Sequence, residues 1–285
     1  FVVGPSNALA REAALAVARG QRLAPGPVLF EGPEGVGKTH LARALYAEHV
    51  RDYPDSPGRG EARLSLGGLL LLAGDAAGAR EALAAGLREA AASPRAPQAR
   101  EQLGALNLRA LLDGPAEGWS GEYTVVSGDT ISAIATRFHA TAALVSRMNG
   151  LANAVIREGQ VLRVPSGRFE VLVSKSANNL TLLYGGEFFK VYPAGTGKQN
   201  STPAGTFAIA TKLVDPPWYT GEGVIPPDDP RNVLGTRWMG FNDPYANFGI
   251  HGTVEPDSVG TQSSEGCVRL LNEDVEELYD LLPYG

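Results

Sequence analysis

With 285 residues, 44% of them hydrophobic, the chain is long enough for two or three domains with cores of their own, which argues against wholesale disorder. A net charge of −6 provides no basic footprint for nucleic acid and no cationic face for an anionic membrane. The single cysteine, Cys267, excludes an intrachain disulfide, and the longest apolar run, Leu64 to Ala73, is shorter than the ~20 residues that a bilayer span requires.

Residues 1–50 alternate apolar and small residues around a glycine-rich loop. A strand predicted over Val28 to Glu31 runs into G-P-E-G-V-G-K-T, Gly32 to Thr39, and a helix predicted over His40 to Val50 follows. That order matches a phosphate-binding P-loop, in which backbone N–H groups around Gly32 and Gly37 cradle phosphate, Lys38 adds charge and Thr39 holds Mg²⁺. With F-V-V-G-P-S-N before it and K-T-H-L-A-R-A-L after it, the segment resembles the opening of bacterial replication-initiator ATPases. Such an ATPase needs a later strand ending in paired acidic residues. Leu69 to Asp75 comes too soon and lacks the pair, so this is expected to be an incomplete loop without ATPase activity.

Residues 60–112 are rich in Ala, Leu and Arg and nearly free of β-branched residues, which predicts helices. Leu66, Gly67, Leu70, Gly74, Ala79 and Leu83, with Pro94 beyond, resemble a tetratricopeptide hairpin, and Arg95 to Leu112 supplies a further helix. The expected role is a scaffold or spacer, with Asp113 to Gly121 as the linker that follows.

Residues 122–166 read as strand, Ser-Gly-Asp turn, amphipathic helix, second short helix and closing strand. Ile131, Ile134, Ala135 and Phe138 share one helical face, and Val125 and Val161 to Val164 mark the two strands. This βααβ segment resembles a lysin-motif (LysM) module, a family that binds N-acetylglucosamine-containing glycans through its strand–helix and helix–strand loops. The resemblance places Gly128, Asp129, Thr130 and Asn149 in that groove, although Asp129 and Thr130 fit equally well as an N-cap pair.

From residue 168 to residue 285 the reading is mostly β, with strands over Glu170 to Ser174, Leu180 to Tyr184, Phe188 to Pro193 and Thr206 to Thr211. Gly185-Gly186 signals a hairpin. Near the end stand I-H-G-T, Ile250 to Thr253, and S-S-E-G-C-V-R-L, Ser263 to Leu270. A thiol attacks an amide only as thiolate, so it needs a base or a positive field nearby. Of the four histidines only His251 lies in the cysteine's own domain, which makes it the expected base. Gly266 permits a tight turn that exposes the sulfur, and its backbone N–H groups would face a developing oxyanion.

The spacing of His251-Gly252 from Ser264-Glu265-Gly266-Cys267, together with Gly195 to Phe207 (G-T-G-K … S-T-P-A-G-T-F) and Gly235 to Phe241 (G-T-R-W-M-G-F), resembles the L,D-transpeptidase catalytic domain. The resemblance implies Cys267 as nucleophile, His251 as base, Gly252 orienting it through its carbonyl, and Ser264 lining the site. It implies substrate contact at Arg269, Gly266 and Trp238, with the Arg269 fork suited to a carboxylate. Members often carry a histidine where this chain has Glu265, which would raise the thiol pKa if it pointed inward. They also usually continue with a closing strand beyond Tyr284-Gly285.

The expected architecture is a multidomain α+β protein: a helical N-terminal region, a small βααβ LysM module and a mostly β catalytic domain. The resemblance implies a peptidoglycan L,D-transpeptidase of the cell envelope, without metal or cofactor. Its partners would be glycan strands and stem peptides, with no nucleic acid and no membrane span. The export signal is not visible in a chain that opens on Phe1. The alternatives are an L,D-carboxypeptidase passing the acyl group to water, a non-catalytic wall-binding protein and, last, a cytoplasmic P-loop ATPase.

Overall fold

The computed structural model describes residues 38–114 and 118–285, in two units, one ending at Asn107 and the other running over Leu108–Gly285. The loop Gly32 to Gly37 read as phosphate-binding lies outside the described residues; Lys38 and Thr39 open the first described helix, α1 (Lys38–Asp52).

In the first unit, α2 (Arg59–Leu72) and α3 (Ala76–Glu89) form the expected hairpin. The chain reverses at Gly74, whose φ of +80° favours glycine, and Asp75 caps α3 by accepting the Gly78 N–H at 2.9 Å. The helices interlock through missing side chains. A Cβ on Gly67 would run into Leu83, one on Gly86 into Leu64, and both leucines are buried. Helix α4 (Ala96–Asp113) begins in this unit, and its last residues, from Leu108, belong to the second.

In the second unit, Leu111 is wholly buried, and the Arg163 guanidinium donates to the carbonyls of Leu111 and Leu112, both at 3.1 Å. Strand β1 (Ser120–Thr124) pairs antiparallel with β2 (Val161–Pro165), and α5 (Ile131–Arg137) and α6 (Ala142–Met148) lie between them. Strand β1 starts and stops earlier than expected: Val125 lies just beyond it, still donating to the Gln160 carbonyl at 2.9 Å.

The rest is built on two larger sheets. Strands β3 (Phe169–Ser174), β4 (Asn179–Tyr184) and β5 (Glu187–Pro193) form a meander whose tight turn uses left-handed Gly185 and Gly186. After β6 (Thr196–Gly197) comes β7 (Ile209–Val214), three residues later than expected. Thr206 to Ala208 do not join the strand, because the Phe207 ring stacks on Phe241 at 4.9 Å and the Ala208 N–H is taken by Asn242. Strands β8 (Trp218–Thr220) and β9 (Gly223–Ile225) make a small hairpin. Strand β10 (Arg237–Phe241) pairs with β7 and with β11 (Gly249–His251). Strand β12 (Gln262–Ser264) pairs with β6, and β13 (Val268–Arg269) closes the four-stranded sheet in the order β13-β11-β10-β7. Helix α7 (Asn272–Leu281) buries Val275, Leu278 and Leu281.

The βααβ module and the β-rich region share one apolar core. Trp119 stacks on Tyr184 at 5.4 Å and meets Phe189 at 5.3 Å, while the Tyr184 hydroxyl donates back to the Trp119 carbonyl at 2.6 Å. On another side Thr141 donates to the Asp280 carbonyl, and Arg147 pairs with the Asp280 carboxylate at 3.3 Å.

Two expectations follow for stability. Adjacent Gly67 and Gly68 should respond oppositely to alanine: Gly67→Ala collides with Leu83 and should lower stability by about 1–3 kcal/mol, whereas Gly68, with open space beside it, should gain about 0.5–1 kcal/mol. Equal thermal shifts for the two variants would contradict this packing. Trp119→Ala should cost the second unit roughly 2–3 kcal/mol and move module and β-rich region together in one melting transition. Two separate transitions would mean that the shared core does not couple them.

Candidate active site

Strand register assembles the site. Across the four-stranded sheet Trp238 of β10 stands opposite His251 of β11, and His251 opposite Arg269 of β13. These three therefore form one row on one face, while Met239, Ile250 and Val268 form the next row on the other face, buried in the core. Cys267 stands in the turn immediately before Val268, at the entry to β13.

His251 is 3% exposed, and its imidazole stacks on the Trp238 indole at 5.7 Å between centroids. Room for that indole comes from Gly240 and Gly249, where any Cβ would run into it. The Nδ1 of His251 lies 2.6 Å from the Gly252 carbonyl oxygen. A carbonyl only accepts, so Nδ1 carries the hydrogen and Nε2 keeps its lone pair. Burial pushes the His251 pKa from 6.5 down to about 4, the Arg269 charge acting in the same direction and the Gly252 and Leu234 carbonyls opposing it. The imidazole is neutral at neutral pH.

Cys267 is half-buried and free. Burial raises the pKa of its thiol, while a backbone hydrogen bond from Gly249 and the charge of Arg269 work against that rise. The sulfur stands 4.0 Å from the Asn247 carbonyl. The turn before it depends on Gly266, at φ +135°, where a Cβ would strike Phe248.

Several residues stand elsewhere than expected. Ser264 is 1% exposed, accepts the Gly266 N–H at 3.1 Å and donates to the Cys267 carbonyl at 2.6 Å. It shapes the turn rather than lining the site, and the Gly266 amide is thereby engaged. Trp238 supports the histidine. Glu265 does not point inward: its carboxylate is exposed and pairs with Lys198 at 2.6 Å. The Arg269 guanidinium reaches Glu255 at 3.3 Å, while its buried Nε has no partner.

In the βααβ module, Thr130 caps α5 through the Ala133 N–H at 3.1 Å. Asp129 accepts from the Tyr123 hydroxyl at 2.8 Å and from the Val126 N–H at 2.9 Å. The Asn149 amide group bridges Val145 and Arg163. Asp129, Thr130 and Asn149 thus spend their side chains on the module's own fold, and Gly128, at φ +88°, shapes the turn. An open depression lies nearby, lined by Asn153, Val155, Arg157 and Gln160 among others.

Asn272, the first residue of α7, was missed by sequence reading. Its Oδ1 accepts the N–H groups of Thr236 and Thr253, each at 3.2 Å. A Cβ on Gly235 or Gly252 would collide with that oxygen. The only trace in the sequence is an asparagine two residues past Leu270, where a helix-starting residue is unremarkable. Among the described residues no cluster of His, Cys, Asp and Glu could hold a metal ion.

Three stretches of the chain match known family models. Residues 168–285 match the L,D-transpeptidase catalytic domain model, residues 123–165 the LysM domain, and residues 1–57 the bacterial DnaA ATPase domain. The chain is 36% identical over 119 residues to YqjB of Bacillus subtilis, covering 40% of this chain and 66% of that protein. A crystal structure of L,D-transpeptidase 3 from Mycobacterium tuberculosis shares 19% identity at a TM-score of 0.34, over 46% of this chain and 73% of that one. YkuD of Bacillus subtilis, named as an L,D-transpeptidase, is 31% identical over 170 residues, which cover 57% of this chain and 94% of that protein. Matched over nearly the whole of that relative, the chain belongs to the L,D-transpeptidase family.

Proposed function

We propose that the chain is a peptidoglycan L,D-transpeptidase working through a cysteinyl thioester, and that it acts outside the cytoplasm at the cell wall. The observation that carries this reading is the His251 imidazole, buried and neutral, with Nδ1–H committed to the Gly252 carbonyl and with Cys267 at the entry to β13, the strand paired with that of His251. Nε2 takes the thiol proton as sulfur attacks the carbonyl preceding the terminal D-Ala of a stem tetrapeptide. The C–N bond then breaks, and the imidazolium returns its proton to the leaving nitrogen. An acceptor amine attacks the thioester, gives up a proton through the same imidazole and frees the thiol. The Arg269 charge steadies the negative charge that builds on sulfur and carbonyl oxygen.

The LysM-like module supplies glycan binding. With Asp129, Thr130 and Asn149 used internally, contact there falls to backbone around Gly128 and to side chains of the depression near Asn153 and Arg157. No helix among the described residues is long and apolar enough to cross a membrane.

A carbapenem should add one drug mass to the intact chain, and Cys267→Ser should abolish the adduct. His251→Ala should slow its formation by roughly 10²–10⁴-fold. Normal acyl transfer by Cys267→Ser would end this reading, and product analysis with and without an acceptor amine separates transfer from hydrolysis. Because Glu265 is exposed and paired with Lys198, Glu265→Gln should leave the pH profile of Cys267 alkylation unchanged.

The buried histidine also sets a pH dependence of stability. Its folded pKa is depressed, so its contribution is fully present above pH 6.5 and is lost as pH falls toward about 4. Wild type should lose stability across that window, and His251→Gln, which cannot protonate there, should lose measurably less. Parallel losses in urea titrations would assign the acid sensitivity to other groups.

A further inference from the structure

We infer that Asn272 is a positioning residue for the reaction, holding His251 in its working tautomer through the single peptide group between Gly252 and Thr253. This rests on His251 being the base.

The argument is one of connectivity. The Gly252 carbonyl that accepts the His251 Nδ1–H and the Thr253 N–H that donates to Asn272 Oδ1 belong to the same planar peptide. That peptide is gripped at both ends, by the imidazole at 2.6 Å on its oxygen and by the carboxamide at 3.2 Å on its nitrogen. Hydrogen bonds in such a chain polarise one another, so the carboxamide makes the carbonyl a better acceptor for the imidazole N–H.

The grip matters because of what surrounds it. Thr253 is 4% exposed, so without Asn272 its N–H would be buried without that partner. The relief open to it is rotation of the peptide, and Gly252 offers little resistance since it lacks a Cβ. Rotation would carry the carbonyl away from Nδ1. The hydrogen could then sit on Nε2, and an imidazole protonated there cannot take the thiol proton. Gly252 is nevertheless required, because a Cβ there or on Gly235 would displace the carboxamide oxygen. The second donor, the Thr236 N–H at 3.2 Å, fixes that oxygen from the neighbouring loop. Asn272 is held in turn at the start of α7, whose Val275, Leu278 and Leu281 are buried. The sequence of contacts thus runs from core helix to carboxamide, peptide and imidazole.

The test uses the full chain with Asn272→Ala and Asn272→Asp, reading carbapenem acylation of Cys267 against pH together with the ¹⁵N spectrum of the His251 ring. Asn272→Ala should slow acylation about tenfold, acting on the acylation step rather than on drug affinity, and move the ring from a pure Nδ1–H signature to a mixture. Asn272→Asp keeps an acceptor oxygen and should recover most of the rate. Its carboxylate, one peptide from the ring, should move the acid limb of the profile to higher pH. If Asn272→Ala is too unstable to study, the Asp variant and its pH shift still decide. Wild-type acylation and an unaltered ring signature in Asn272→Ala would overturn the inference. So would a loss that merely follows the unfolded fraction and that Asp does not rescue. Absence of any adduct in wild type would instead overturn the transpeptidase reading, and the ring signature would still report on Asn272.

Discussion

A histidine sealed from water and kept neutral is the constraint around which this site is organised. Sealing an imidazole from water costs its charged form several kilocalories, and here that cost holds the ring in the form that can accept a proton. Burial alone leaves the choice of tautomer open. The Gly252 carbonyl settles it, and much of the local sequence serves that contact: Gly240 and Gly249 admit the Trp238 ring, and Gly252 and Gly235 admit Asn272. Each of these glycines is required by space, and Gly235 also by its left-handed φ of +66°.

Charge is distributed with the same economy. Arg269 stands in the row with His251, where its cationic field works against protonation of the ring and in favour of ionising the thiol. Its Glu255 partner is mostly exposed, so the field is only partly answered on that side. Glu265, the one carboxylate next in sequence to the Gly-Cys pair, is drawn outward by Lys198. The thiol thus meets a positive environment although the chain as a whole is acidic.

Much of this was legible in the sequence, and for reasons that can be named. Cys267 and His251 stood out because each was the only residue of its type in the domain. The helical hairpin was visible because small residues recurred at helical spacing, and the β meander because Gly185-Gly186 divides two apolar runs. What stayed hidden depends on partners distant in sequence. Asn272 matters only because Thr236 and Thr253 come to it. Thr130 was open to either reading and proves to be the N-cap, whereas the Asn149 carboxamide is taken up by Arg163, fourteen residues on. The start of β7 was misplaced because Phe207 has strand-like character but finds a better partner in Phe241.

The docking of the βααβ module on the β-rich region also bears on how such chains diversify. Trp119 lies on one side of the join and Tyr184 and Phe189 on the other, and Arg163 of the module holds the end of α4 by its carbonyls. A module attached in this way is no interchangeable cassette. A recombination breakpoint placed between residues 165 and 168 would part rings that cover one another and leave apolar surface on both fragments. Lineages that exchange the LysM-like part must inherit its aromatic contact surface along with it, or replace both faces in concert.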